Sequence, residues 1–282
     1  MVTDGTTRLE APGDRSWDTG ARMSDPSEPS YVERNRRLWD SQSDEYQTKH
    51  GPQLAASGGL AWGVWQLPES ELQILGDVAG REILELGCGA AQWSIALHRL
   101  GADVTGLDAS ERQLEHARSL MAQAAVDFPL VHGSAEATPF GDESFDVVFC
   151  DYGAMTFADP YRTVPEAARI LRSGGLLAFS TGTPILDIAW TPGDDHAGDR
   201  LVLDYWDLHV IEVPEEPVIF QLRYGEWIRL FAESGFAIES LIETRPSADA
   251  TSTYRDDSDR AWARRWPMEH IWRVRRSGRG AG

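Results

Sequence analysis

The sequence predicts an α/β fold, a mostly parallel sheet with helices packed on both faces. Three observations predict it. The stretch Glu82 to Asp108, EILELGCGAAQWSIALHRLGADVTGLD, reads as strand, glycine turn, helix and second strand. The run FDVVFC, Phe145 to Cys150, is apolar on both faces, as a central parallel strand requires. A helix-patterned segment ending near Leu171 runs through Arg172-Ser173-Gly174-Gly175 into an apolar run, Leu176 to Ser180.

The first of these, a Rossmann-like βαβ unit, also carries chemistry. Gly87-Cys88-Gly89 lets a ligand approach the backbone, and Asp108, at the tip of the second strand, accepts hydroxyl donors. Asp108 follows Gly89 by 19 residues, close to the roughly 20 expected for a carboxylate that meets a ribose. The third glycine of a dinucleotide fingerprint is missing, since Ala90, Ala91 and Gln92 follow Gly89. Glu85 stands two residues before Gly87, where it repels a pyrophosphate and attracts a cation. On Glu85-Leu86-Gly87-Cys88-Gly89 the chain resembles the class I S-adenosylmethionine-dependent methyltransferases, small-molecule type. That resemblance implies a Rossmann-like seven-stranded sheet with an antiparallel last strand, and S-adenosyl-L-methionine as cofactor.

Composition narrows the class further. The chain has 282 residues, 41% of them hydrophobic, enough for one large α/β domain with additions. Its formal net charge of −19 argues against a phosphate-tracking surface, so a small-molecule partner is expected and no nucleic acid. No Asn/Asp-Pro-Pro-aromatic motif follows the fourth strand, where amino-methylating nucleic-acid enzymes have one. There is no apolar run of about 18 residues, so no membrane span is expected. Two cysteines without ligand-like spacing, Cys88 and Cys150, fit a cytoplasmic protein and no metal site.

In chain order, residues 1–30 read as a disordered leader and residues 31–282 as the catalytic domain, with 31–75 as an N-terminal helical cap. Val32, Trp39 and Tyr46 recur every seven residues on one helical face. Trp39 and Tyr46 either pack that helix down or, as the resemblance implies, Tyr46 touches the cofactor. Gly51 to Gln66 is too irregular for a helix, and Leu67 to Leu75 is a short helix before the first strand. After Asp108 and Ala109, Ser110 caps a helix to about Ala124. Its inner stripe is Leu114, Ala117, Arg118 and Met121, with Gln113 at the ligand edge. A short third strand covers Phe128 to His132. The turn after it, Ser134-Ala135-Glu136, is where the resemblance implies adenine binding: a backbone N–H near Ala135, with Ser134 where an acidic residue is usual and Glu136 close by.

The fourth strand ends at Cys150-Asp151-Tyr152, on the carboxyl edge where ligands bind. It is expected beside the first strand, with Cys88 and Cys150 either under the cofactor or buried as small hydrophobes. A helix is expected over Thr163 to Leu171. Residues 181–222, aromatic and acidic, are expected to form a substrate-cap insertion after strand five. A helix at Tyr224 to Phe231 and strands at Phe236 to Ile242 and His270 to Val274 follow, with the Arg273 to Arg279 cluster as a solvated tail.

The catalytic candidates are Asp151, Tyr152, His196 and His209, at the carboxyl edge or in the insertion, any of which a proton-transfer step would use. The reaction expected is methyl transfer to oxygen, nitrogen or carbon of a specialised metabolite. The alternatives are a cofactor-binding protein that catalyses a non-methylating reaction such as cyclisation, and a NAD-type oxidoreductase. Cofactor contacts are expected at Tyr46, Glu85, Gly87, Cys88, Gly89, Asp108, Ala109, Gln113, Ser134, Ala135, Glu136, Cys150 and Asp151.

Overall fold

A computed structural model describes residues 30–191 and 194–278. All but the last residue of the expected leader lies outside them. The first element is α1 (Tyr31–Ala56), capped by Ser30 Oγ, which accepts from Glu33 N. Gly51-Pro52 does not end it, contrary to the sequence reading. Its last turns are docked instead: His50 Nδ1 lies 2.8 Å from Thr253 Oγ1, and Gln53 Oε1 accepts from Thr253 N at 2.6 Å. Tertiary contact outweighs local helix preference there. A small hairpin of β1 (Ala61–Trp62) and β2 (Leu67–Pro68) follows, then α2 (Glu69–Leu72).

The central run is β3 (Glu82–Leu86), α3 (Gln92–Arg99), β4 (Asp103–Asp108), α4 (Glu111–Ala124), β5 (Leu130–His132), β6 (Phe145–Asp151), α5 (Gly153–Phe157), α6 (Pro160–Ile170) and β7 (Leu171–Gly182). α4 matches its predicted span, and Ser110 Oγ accepts from Gln113 N at its cap. Arg118, expected on the inner stripe, is exposed and pairs with Glu111; Gln113 takes the buried place with Leu114, Ala117 and Met121. α6 starts three residues before Thr163, at Pro160, because Asp159 caps it and a proline suits the first helical position. Arg172-Ser173-Gly174-Gly175 does not end that helix in a turn. It bulges within β7, where Leu171 faces Phe145 and Leu176 already faces Val147.

Then come α7 (Pro184–Ala189), a 3₁₀ turn at Tyr205–Asp207, the hairpin β8 (Val210–Ile211) and β9 (Ile219–Phe220), α8 (Tyr224–Glu233), β10 (Phe236–Glu243), α9 (Asp257–Ala263) and β11 (Glu269–Arg276). The main sheet has seven strands in the order β10-β11-β7-β6-β3-β4-β5, and β11 runs antiparallel to both its neighbours. The strand order reverses between β3 and β6, which pair in parallel and open a crevice at their carboxyl ends. The arginines of β11 are no solvated tail, since Arg273 and Arg275 pair with Glu239 and Arg276 with Glu143, while Arg279 of the expected tail lies outside the described residues. Alternate strand residues feed the two faces. Leu84, Val148, Cys150 and Phe179 pack under α6 and α8, while Ile83, Val147, Phe149 and Ala178 pack with Trp62, Trp93 and Leu114. Cys88 belongs to the second cluster and Cys150 to the first, so the two thiols lie on opposite faces of the sheet. No helix among the described residues is long and apolar enough to cross a membrane.

Candidate active site

A cavity of about 550 Å³ opens at the carboxyl edge of β3, β4 and β6, covered by α1 and the β1–β2 hairpin. Its floor is the loop after β3. Gly87 and Gly89 adopt positive φ of 71° and 53°, and Ala91 follows at 59°. The loop folds back on β4, with Gly87 N and Cys88 N both donating to Leu107 O. The two glycines differ in what they need. A Cβ at Gly87 would stand 2.4 Å from Ala154 N, so that glycine is required by the packing of α5, not by a ligand. A Cβ at Gly89 would meet only Gln113 Oε1, at 3.7 Å, so this position lies open to the cavity.

Two carboxylates line this half of the cavity. Asp108 Oδ2 accepts from Gly89 N and Oδ1 from Ser110 N, each at 2.8 Å. Burial raises its pKa, and these two bonds hold it back toward the ordinary value. Each oxygen keeps a lone pair for a vicinal diol. Glu85 Oε2 accepts from Ser94 N at 3.0 Å and Ser94 Oγ at 2.6 Å, so it also closes the first turn of α3. Burial pushes Glu85 up to about 8 against those bonds, and no salt bridge reaches it among the described residues. A buried carboxylate without a cation is the complement of a positively charged ligand group.

Side walls come from neighbouring elements. Gln92 Nε2 donates to Gln47 Oε1 and Gln47 Nε2 to Gln113 Oε1, a chain that ties α1 to α3 and α4. Tyr46 stacks edge-on against Trp39 and shares a 2.9 Å hydrogen bond with Tyr254. Burial pushes Tyr46 up to about 12. Ala109, Ser134, Ala135 and Glu136 also line the cavity. Glu136 is committed to the protein: Oε1 accepts from Tyr31 Oη and Asp159 N, and Oε2 pairs with Arg162.

Beyond the glycine loop lies a second lobe. Asp151 Oδ1 accepts from Gly63 N at 2.9 Å and from Ser180 Oγ, and burial raises its pKa. Tyr152 sits at φ 61°, a strained conformation for a side chain of its size, and its hydroxyl is buried beside the Glu269 carboxylate. Glu269 Oε1 accepts from Val64 N at 2.7 Å, and burial pushes Glu269 up to about 7. Together Asp151 and Glu269 fasten the β1–β2 turn onto the sheet.

The cavity therefore brings together every expected cofactor residue except Cys150, which is fully buried in the core under β6. Among the catalytic candidates it includes Asp151 and Tyr152 but neither histidine. His196 lies between Asp259 Oδ1 at 3.3 Å and Asp256 Oδ2 at 3.5 Å, and His209 pairs with Asp159 at 3.2 Å. The sequence reading passed over Asp187, Gln221, Tyr254 and Arg255, all of which line the second lobe. Tyr254 and Arg255 come from the excursion between β10 and β11, which no local motif places near the glycine loop. Asp187 alone carried a signal, a carboxylate set within the apolar run Pro184-Ile185-Leu186-Ile188-Ala189.

Residues 84–179 match the family described as methyltransferase domain. A demethylmenaquinone methyltransferase of Listeria monocytogenes is 38% identical over 103 residues, 35% of this chain and 44% of that protein. The chain spans between 44% and 60% of the length of the curated relatives it matches. The crystal structure of an S-adenosylmethionine-dependent methyltransferase from Mesorhizobium loti is 27% identical, with a TM-score of 0.58 over 73% of this chain and 96% of that one. A geranyl diphosphate C-methyltransferase from Streptomyces coelicolor shares the fold at 17% identity, TM-score 0.63, over 89% and 99% of the two chains.

Proposed function

Because the chain carries a class I S-adenosylmethionine-dependent methyltransferase domain, we propose that it transfers a methyl group from that cofactor to a small, largely apolar acceptor, a specialised metabolite. The observation that carries this reading is one cavity lined both by Gly89, Asp108 and the uncompensated Glu85 and by the rings of Trp39, Tyr46, Phe157, Phe220 and Tyr254.

The residues fit the cofactor. Asp108 has lone pairs free for ribose hydroxyls, the open face of Gly89 admits the ligand to the backbone, and Glu85 meets the positive charge of the methionine part. When bound, S-adenosylmethionine supplies a methyl group already activated by its sulfonium. The chain's own residues then bind, orient and dehydrate. α1 and the β1–β2 hairpin cover the cavity, and their exclusion of water strengthens each electrostatic contact inside. The aromatic walls hold a flat acceptor against the reacting centre, and orientation of this kind lowers the barrier by several kcal/mol. Asp151 and Tyr152 line the same cavity.

The reading is tested by incubating the purified protein with methyl-labelled S-adenosylmethionine and a panel of small apolar metabolites. Labelled product with an equal amount of S-adenosylhomocysteine is expected. A transformed acceptor without S-adenosylhomocysteine would replace methyl transfer by a cyclisation or isomerisation.

A further inference from the structure

We propose that Asp187 is the group that takes the acceptor's proton, that Arg255 stabilises the resulting oxyanion, and that the acceptor is therefore a neutral hydroxylated aromatic compound. The inference rests on the methyltransferase reading and names the chemistry of its second lobe. Asp187 is the fourth residue of α7, whose start is fixed by Thr183 Oγ1 accepting from Leu186 N and by Pro184 at the first position. One turn brings its carboxylate to the cavity wall. A chain of hydrogen bonds then sets its direction. Trp227, fully buried in α8, donates from Nε1 to Gln221 Oε1 at 3.2 Å. Leu222 N donates to the same oxygen. With its oxygen so engaged, Gln221 turns its amide nitrogen to Gly182 O at 2.8 Å and Asp187 Oδ2 at 2.7 Å. Asp187 Oδ1 has no hydrogen-bond partner among the described residues, and is left for whatever fills the lobe.

Enclosure raises Asp187 to about 6, against the hydrogen bond of Gln221 and the charge of Arg255. Such a carboxylate is ionised at pH 7 yet more basic than an exposed one, which suits a proton acceptor. The charged and titratable groups that face it are Arg255, from the segment before α9, and the Tyr224 hydroxyl, from α8. Arg255 lies over the Trp190 ring at 4.8 Å, and its Nε is buried without a partner. Among the described residues it forms no ion pair. A cation held in the same lobe disfavours an ammonium acceptor and favours one that becomes anionic. In the step itself the acceptor's O–H bond breaks, the proton passes to Asp187 Oδ1, and the bonding pair stays on the acceptor oxygen beside Arg255. The flat aromatic walls fit the ring that carries such a hydroxyl.

The test uses the full chain saturated with S-adenosylhomocysteine, with 2-naphthol and its methyl ether as calorimetric probes. Wild type is expected to bind the naphthol at least tenfold more tightly than the ether, and to lose that preference as pH falls below about 6. Asp187→Asn keeps the acceptor oxygen for Gln221 and should lose the preference at every pH, with S-adenosylhomocysteine affinity within twofold of wild type. Arg255→Gln should weaken naphthol binding while leaving its pH midpoint near that of wild type. Equal binding of the two probes, no binding of either, or an unchanged preference in Asp187→Asn overturns the proposal. Failure of wild type to bind S-adenosylhomocysteine overturns the methyltransferase reading instead.

Discussion

Asp108, at the end of β4, accepts a hydrogen bond at 2.8 Å from the backbone N–H of Gly89, in the loop that follows the adjacent strand β3. One carboxylate thus shapes the glycine loop and lines the cavity beside it. Asp108→Ala is expected to weaken S-adenosylhomocysteine binding by about 1–3 kcal/mol, through loss of a charged hydrogen-bond acceptor for the ribose. Isothermal calorimetry checks this, and an unchanged affinity would remove Asp108 from the binding surface.

The two loop glycines separate stability from binding. Gly87→Ala would press a Cβ against Ala154 N at 2.4 Å and should lower the melting temperature markedly. Gly89→Val meets little of the protein but narrows the cavity mouth, at the cost of about 1 kcal/mol or more for its positive φ. It should remain folded and lose cofactor binding. Paired thermal melts and calorimetry distinguish the two outcomes, and a folded Gly89→Val that binds normally would place the ligand elsewhere.

Glu85 gives the binding reaction a proton signature. With its pKa at about 8 in the free protein, it is mostly protonated at pH 7. A cationic ligand group beside it favours the carboxylate, so binding should release a proton and strengthen as pH rises from 6 to 8. Calorimetry at pH 7 in two buffers of different ionisation enthalpy measures the release. Glu85→Gln should abolish it; retention of the same proton release in that variant would assign it to another group.

Glu269 makes a stability prediction with a definite sign. Its folded pKa, about 7, lies above the ordinary 4.5, so the folded state holds its proton more firmly than the unfolded state does. The favourable contribution is present at low pH and is lost as pH rises between those two values. Asp187 and Glu85 act in the same direction. Cofactor-free protein should therefore melt at a lower temperature at pH 8 than at pH 5. Glu269→Gln keeps an acceptor for Val64 N and should flatten that slope; an identical slope in the variant would contradict the assignment.

The fold was legible where pattern is local. The glycine turn, the 19-residue step to Asp108, the cap at Ser110 and the two-faced strand at Phe145 each follow from neighbours in sequence. The missed features depend on distant partners. α1 runs through Gly51-Pro52 because Thr253 holds its end. Arg273, Arg275 and Arg276 resemble a basic tail until Glu239 and Glu143 are placed beside them. The glycine-loop side of the cavity belongs to the first kind. The side with Asp187, Gln221 and Arg255 belongs to the second, because those residues come to one cavity only when three separate segments fold over the sheet.

Competitive calorimetry of the purified chain against S-adenosylmethionine, S-adenosylhomocysteine and NAD tests the central claim most directly. Both sulfur nucleosides are expected to bind one to one, with NAD failing to compete. Binding of NAD with neither nucleoside recognised would contradict it.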